Sequence, residues 1–326
     1  MVSFQGIRNN RMVKALLIGC GNIGAGYDLG HASRTWTHAK AYASRNDIEL
    51  SVYDEQKDRA LKIASLYNAQ SIEVLEDEHY AGFDIVSITS PTSTHFYYLE
   101  KCISQGVPVI ICEKPVVNSM EQANALSALY QDGRSRILVN YMRRFQPGYE
   151  LAKQKLNSLL NAQALTGIII KYKRGFLNNA SHAMDLLEFI FDSPFDLENF
   201  EFTSAAYDAF EDDPTVVGSG IYHDCPIVFN GITGSSFSIF EIELYFSHSK
   251  TVICHSGNEI RYYIEEEGSL KENLDARQTG LLDTYMVPVV DTAMQLLNNK
   301  DGKDNFMSSL RLNKEILGII EPLKNI

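Results

Sequence analysis

The feature that most limits what this chain can become is a glycine-rich turn directly behind an apolar run. Val13–Ile18 reads as a buried strand, and Gly19-Cys20-Gly21-Asn22-Ile23-Gly24 follows it at once. Three glycines at that spacing meet three steric demands. The first permits a tight turn, the second lets backbone approach a pyrophosphate, and the third lets the next helix pack closely on the strand. Amides at the start of that helix then face the phosphates. Alone the pattern is weak. Its place in the first strand–helix turn of an alternating chain gives it weight.

The alternation runs to Tyr141. Strand-like runs recur at Ile48–Asp54, Phe83–Thr89, Pro108–Cys112 and Arg136–Tyr141, with a short one at Ser71–Val74. Helical spacing lies between them at Phe96, Leu99 and Ile103, and again at Leu126, Leu129 and Tyr130, where Ser119 and Gln122 form a capping-box signature. Such a chain builds a parallel sheet with helices on its faces. Asp54, at the end of the second strand, is placed to accept hydrogen bonds from a ribose and to repel a 2′-phosphate, which favours NAD over NADP without excluding NADP. It follows Gly24 by more than the usual ~20 residues. The excess is the polar stretch Tyr27–Thr37, read as a loop inserted before a helix at His38–Ser44.

Beyond Tyr141 the character changes, and the boundary is expected as a short, packed crossing. A strand at Ala164–Lys173 and a helix at Ser181–Phe191 precede strand-like segments at Val216–Tyr222, Ser236–Phe246, Thr251–Cys254 and Glu259–Glu265. Strands in succession suggest an antiparallel sheet. Two helical stretches close the chain near Thr279–Leu297 and Asn305–Leu323, and Pro288 should kink or break the first. The expected division is residues 1–141 and 142–326, with the last helix packing back on the first part.

Composition narrows the function classes. A net charge of −12 without a long basic run argues against a nucleic-acid or anionic-membrane footprint, though Lys171, Lys173 and Arg174 could form a local basic pocket. The five cysteines have no zinc-ligand spacing and read as buried thiols in a reducing compartment. No metal is expected, since His223, His248 and His255 follow no ligand pattern. The polar start and the lack of a membrane-length apolar run lead to the expectation of a cytoplasmic protein.

Four further segments resemble the glucose–fructose oxidoreductase and inositol dehydrogenase (Gfo/Idh/MocA) family. They are Thr89-Ser90-Pro91-Thr92 with His95, Cys112-Glu113-Lys114-Pro115, Asn140-Tyr141-Met142-Arg143-Arg144-Phe145, and Asn178-Asn179-Ala180-Ser181-His182-Ala183-Met184-Asp185. The resemblance implies an α/β chain with an N-terminal Rossmann dinucleotide-binding domain. A C-terminal α/β domain with an open, mostly antiparallel sheet should follow, its open face an interface for a homodimer or homotetramer. It implies an NAD(P)-dependent oxidoreductase acting on a hydroxyl carbon of a sugar, nucleotide sugar or cyclitol. Lys114 and His182 would then form a proton relay, with Asn178 and Asp185 beside them. Asn22, Ile23, Thr89, Ser90, Pro91, His95, Glu113, Lys114 and Met142 would border the cofactor with Gly19, Gly21, Gly24 and Asp54. Pro115 is expected to follow a cis bond, as in similar proteins.

Each residue also has a plainer reading. Lys114 could be an exposed turn lysine, His182 an interdomain histidine, His95 a structural one, Arg143 an ion-pair partner, and Tyr172, Lys173 and Arg174 a solvated face. Asn178 departs from the family, in which many members carry Asp at that position. An amide cannot take a proton, so the departure keeps open a dinucleotide-binding sensor without turnover. Net non-redox chemistry with recycled NAD is a third possibility.

Overall fold

The computed structural model describes residues 11–31, 33–130, 134–299 and 302–325. Six parallel strands form the first sheet: β1 (Val13–Ile18), β2 (Ile48–Tyr53), β3 (Gln70–Ser71), β4 (Ile85–Ile88), β5 (Val109–Cys112) and β6 (Arg136–Val139). Their order is β3-β2-β1-β4-β5-β6. Strands β4 and β5 are buried along their whole length, as parallel strands covered on both faces must be. The order reverses between β1 and β4, and ligands of open α/β sheets bind in the crevice at such a point. Strand β3 ends at Ser71, so most of the run expected at Ser71–Val74 lies outside the sheet.

The covering helices are α1 (His38–Ala43), α2 (Lys57–Tyr67), α3 (Asp77–Tyr80), α4 (Thr92–Ser104) and α5 (Met120–Leu129). Ser119 caps α5 by accepting from the Gln122 amide at 3.2 Å. The crossing to the second sheet is a full helix, α6 (Pro147–Ala162), rather than a short connection. Pro147 sits at its start, where the missing N–H costs nothing.

The second sheet has nine strands: β7 (Leu165–Tyr172), β8 (Glu198–Ala206), β9 (Thr215–Tyr222), β10 (Cys225–Gly231), β11 (Phe240–Phe246), β12 (Ser249–Cys254), β13 (Glu259–Glu266), β14 (Ser269–Glu272) and β15 (Gln278–Thr279). Their order is β14-β13-β12-β11-β7-β10-β9-β8, with β15 paired to β13. Among the described strands of this sheet, the one parallel pairing is β7 with β10. Helix α7 (Ser181–Phe191) buries Ala183, Met184, Leu186, Leu187 and Ile190, in the same apolar cluster as Ile168, Ile170, Phe229 and Ile242 of the sheet.

The last two helices, α8 (Met286–Asn298) and α9 (Phe306–Ile320), return to the first sheet. Met286, Val289, Val290 and Ala293 join Ala15, Leu17, Ala39 and Val109 in one core. Helix α8 begins at Met286, not near Thr279, and Pro288 lies in its first turn, so the expected break inside the helix is absent. Among the described residues, no helix is long and apolar enough to cross a membrane.

Asn305 closes the open edge of β6. Its Oδ1 accepts from the Val139 amide at 2.8 Å, and its Nδ2 donates to the Val139 carbonyl at 2.9 Å. Asn305→Ala strands both buried backbone groups and should cost about 2–4 kcal/mol in urea denaturation. A loss below about 1 kcal/mol would contradict this account of the edge.

Candidate functional site

The glycine loop is fixed by steric need. Gly19 has φ +95°, and a Cβ there would lie 2.6 Å from the Ser90 nitrogen. A Cβ on Gly24 would collide with the Gly19 carbonyl, whereas one on Gly21 would meet nothing within 4 Å. The outer glycines therefore serve packing, and the middle one faces open space. That is the form a backbone cradle for a pyrophosphate requires, so these residues fit a dinucleotide. Thr89 Oγ1 ties the turn to β4 by donating to the Gly19 carbonyl at 2.5 Å.

The chain then makes a single wide turn over Asn22–Gly26, and α1 starts only at His38. The inserted stretch between them is pinned. Asp28 accepts from the Trp36 amide at 3.0 Å and from the Thr37 amide at 2.8 Å, and Trp36 Nε1 donates to the Leu282 carbonyl at 3.0 Å. The insertion thereby leans on the segment before α8, with Tyr27 at its base.

Asp54 is buried against the loop. It accepts from the Cys20 amide at 2.7 Å and the Gln56 amide at 2.9 Å, and Arg59 lies 3.4 Å away. A cavity of about 190 Å³ opens beside these groups, with Gly19, Ser90 and Pro91 on its wall. Sequence reasoning did not weigh Arg59, whose guanidinium is the kind of neighbour that tolerates a 2′-phosphate.

A second cleft, of about 320 Å³, brings together Ile23, Ser90, Pro91, His95, Glu113, Lys114, Met142, Asn178 and His182. Lys114 stands at the carboxyl end of β5, before a cis bond to Pro115. Its Nζ reaches across to the second sheet and donates to both the carbonyl and the Oδ1 of Asn178, each at 2.7 Å. Asn178 is held for this by a carboxylate that no pattern announced. Asp213 accepts from the Leu177 and Asn178 amides at 2.7 and 2.8 Å. Gly175, at φ +87°, leaves the room that Asp213 occupies.

Burial pushes the Lys114 ammonium down to about 8; Glu113 and Asp213 oppose the fall, and Arg143 and Arg174 add to it. Burial, with Lys114 and Arg143, holds the His182 ring well below its ordinary value. His182 is therefore neutral at physiological pH. It packs edge-on against Tyr141 and Phe240 at 5.6 and 6.3 Å.

Asp185 is turned elsewhere. It pairs with Arg144 at 2.9 Å and is not bonded to His182. His95 is fully buried, and its ring nitrogens each lie 2.9 Å from a carbonyl, that of Pro115 and that of Ser90. It pins the lysine turn to the turn after β4. Glu113 belongs to a buried chain of polar groups missed by sequence reasoning. Tyr42 and Ser87 hydroxyls lie 2.6 Å apart, Ser87 meets His38 Nδ1 at 3.1 Å, and His38 Nε2 meets Glu113 at 3.0 Å. A neutral His38 satisfies every bond in that chain if Tyr42 donates to Ser87 and Ser87 to His38. Burial would raise the Glu113 carboxyl, but His38, Asn140 and Lys114 hold it below its ordinary range.

A third cavity, of about 430 Å³, adjoins the cleft and shares Tyr27, Met142 and His182 with it. Lys173 and Arg174 line it, whereas Lys171 points away and pairs with Glu241 and Glu243. The five cysteines are free and buried, and burial pushes Cys20 up to about 12. Among the described residues, Cys254, His255 and Glu259 bring three possible ligand atoms within 4.8 Å of one another, but Glu259 already pairs with Arg261 at 2.6 Å.

Residues 13–141 match the oxidoreductase family described as NAD-binding Rossmann fold, GFO/IDH/MocA. UDP-N-acetylglucosamine 3-dehydrogenase of Acidithiobacillus ferrooxidans is 32% identical over 126 residues, 39% of each chain. Inositol 2-dehydrogenase of Rhizobium meliloti is 29% identical over 142 residues, 43% of this chain and 39% of that one. The chain thus spans about two fifths of the length of the curated relatives it matches. A solved structure of a super-repressor mutant of Gal80p from Saccharomyces cerevisiae superposes with a TM-score of 0.75 at 11% identity, over 95% of both chains. That likeness extends the shared fold to the second sheet. The glycine loop and the Rossmann strand order thus lie in the part of the chain, residues 13–141, that matches this NAD-binding oxidoreductase family.

Proposed function

We propose that this chain is an NAD(P)-dependent dehydrogenase or reductase acting on a hydroxyl carbon of a sugar, nucleotide sugar or cyclitol, with Lys114 and His182 handling the proton. The grip of Asn178 on Lys114 carries the reading. A neutral amine has two N–H donors and one lone pair. Asn178 takes both donors at 2.7 Å, which leaves the lone pair for the cleft. In the oxidative direction Lys114 accepts the proton of the substrate hydroxyl, and in the reductive direction its ammonium returns it. His182 makes no hydrogen bond among the described residues, so its neutral ring can bond the same substrate oxygen. The dinucleotide, when bound, supplies or takes up the hydride.

The amide at Asn178 gains a purpose here. A carboxylate in its place would hold Lys114 as a cation and raise its pKa, whereas an amide accepts the same N–H bonds without adding charge. The departure from the family's usual Asp is therefore compatible with a base working near pH 8. A sensor that keeps the fold without turnover is the competing reading, favoured by the fold likeness to Gal80p. A lysine depressed by burial beside a neutral histidine weighs against it, since such shifts concentrate at catalytic sites.

The test is turnover with NAD or NADP and a panel of nucleotide sugars, free sugars and cyclitols, run with the matching keto compounds in reverse. One substrate class should change the reduced-nicotinamide absorbance, and Lys114→Ala should lower kcat/KM by about 100- to 10,000-fold. Cofactor binding with no turnover in either direction would leave the sensor reading in place. The pH dependence is a second check. Oxidation should speed up as pH rises through about 8, where Lys114 loses its proton, and Asn178→Asp should move that limb upward by about 1–3 pH units. An unmoved limb would sink the role given to Asn178.

A further inference from the structure

The third cavity carries charge that its surroundings do not balance. In a chain of net charge −12, its wall holds Arg143, Lys173 and Arg174 and no carboxylate. Arg143 is 5% exposed and forms no ion pair among the described residues. One guanidinium nitrogen donates to the Ser256 carbonyl at 2.6 Å, and the guanidinium carbon lies 3.7 Å from the centroid of the Phe240 ring. Among the described residues its Nε and Nη1 make no hydrogen bond, with the Tyr149 hydroxyl as a polar neighbour. A buried cation left so is costly unless a counter-charge arrives.

The other two cations also form no ion pair among the described residues. The Lys173 ammonium is held by the backbone carbonyls of Ser235 and Phe237, not by an acid. Arg174 is exposed at the rim, and its backbone is left-handed, with φ +64°, a conformation rare for a side chain of that size. The field reaches the reacting groups, since Arg143 and Arg174 both depress Lys114 and Arg143 depresses His182. The cavity shares Tyr27, Met142 and His182 with the cleft that holds Lys114, so one molecule can span both.

We infer that the third cavity is an anion subsite and that the substrate is an acidic sugar. Its carboxylate or phosphate ester sits against Arg143, Lys173 and Arg174 while its reacting carbon faces Lys114 and His182. This rests on the oxidoreductase reading and deepens it by naming the substrate class. Phosphate and carboxylate share the chemistry that guanidinium groups recognise.

Calorimetric titration of the full chain, with and without NADH, separates the possibilities. The probes are glucose, glucuronate and glucose 6-phosphate. At least one acidic probe should bind about tenfold more tightly than glucose or better, and which one does so tells carboxylate from phosphate. The preference should weaken in Arg174→Gln and vanish in Arg174→Glu, changes at an exposed side chain that spare the core. Equal binding of glucose and both acids, no binding of either acid, or an undiminished preference in Arg174→Glu would overturn the inference. NADH titration without sugar reports the dinucleotide reading separately. NADH binding without acid preference removes the subsite alone, and acid preference without NADH binding removes the hydride reading alone.

Discussion

Two hydrogen bonds from one ammonium group hold the working parts of this molecule in register. Lys114 closes a strand of the first sheet, Asn178 a turn beyond the second, and their contact spans the cleft at 2.7 Å. Each side is braced. Behind Lys114, the buried His95 ring lies between the Pro115 and Ser90 carbonyls, each 2.9 Å from a ring nitrogen, and donates to one of them when neutral, so it packs the lysine turn against the turn beside the glycine loop. Behind Asn178, Asp213 grips the amides of the same turn. The side chain that would meet substrate is positioned from both sheets at once, as a reaction sensitive to sub-ångström placement requires.

Electrostatics reinforce that geometry. Burial pushes the Lys114 ammonium down to about 8, and the cations at the far wall push it further in the same direction. The buried acid beside it is kept ionised by His38 and Asn140, so Glu113 supplies charge and does not compete for the proton. The Tyr42–Ser87–His38–Glu113 chain is fully bonded, and satisfied polar networks of this kind fix a core in one arrangement.

How far the sequence was legible follows from how local each signal is. Strands β1, β4, β5 and β6 stand out because parallel strands buried on both faces read as unbroken apolar runs. Strand β8 did not, because Glu198–Ala206 is largely exposed and shows no clear alternation. Strand β10 has buried Cys225, Ile227 and Phe229 at alternate positions, but Pro226 and Val228 between them disguise the period. The start of α8 was misplaced because Pro288 reads as a breaker unless the first turn is known. In the site, Lys114, Asn178 and His182 sit in short recognisable segments. Asp213, Tyr27 and the unpaired state of Arg143 do not, because each depends on chain brought from far away. Asp185 shows the converse. The family resemblance sets it beside His182, yet Arg144 from another element claims it.

The claim on which the rest turns is that Lys114 is a neutral-capable base held by Asn178. Titrating the Lys114 amine directly, by NMR of isotopically methylated lysines with Lys114→Arg to assign the signal, tests it without any substrate. The account predicts a midpoint near 8. A midpoint at the ordinary lysine value of about 10.4 would contradict it.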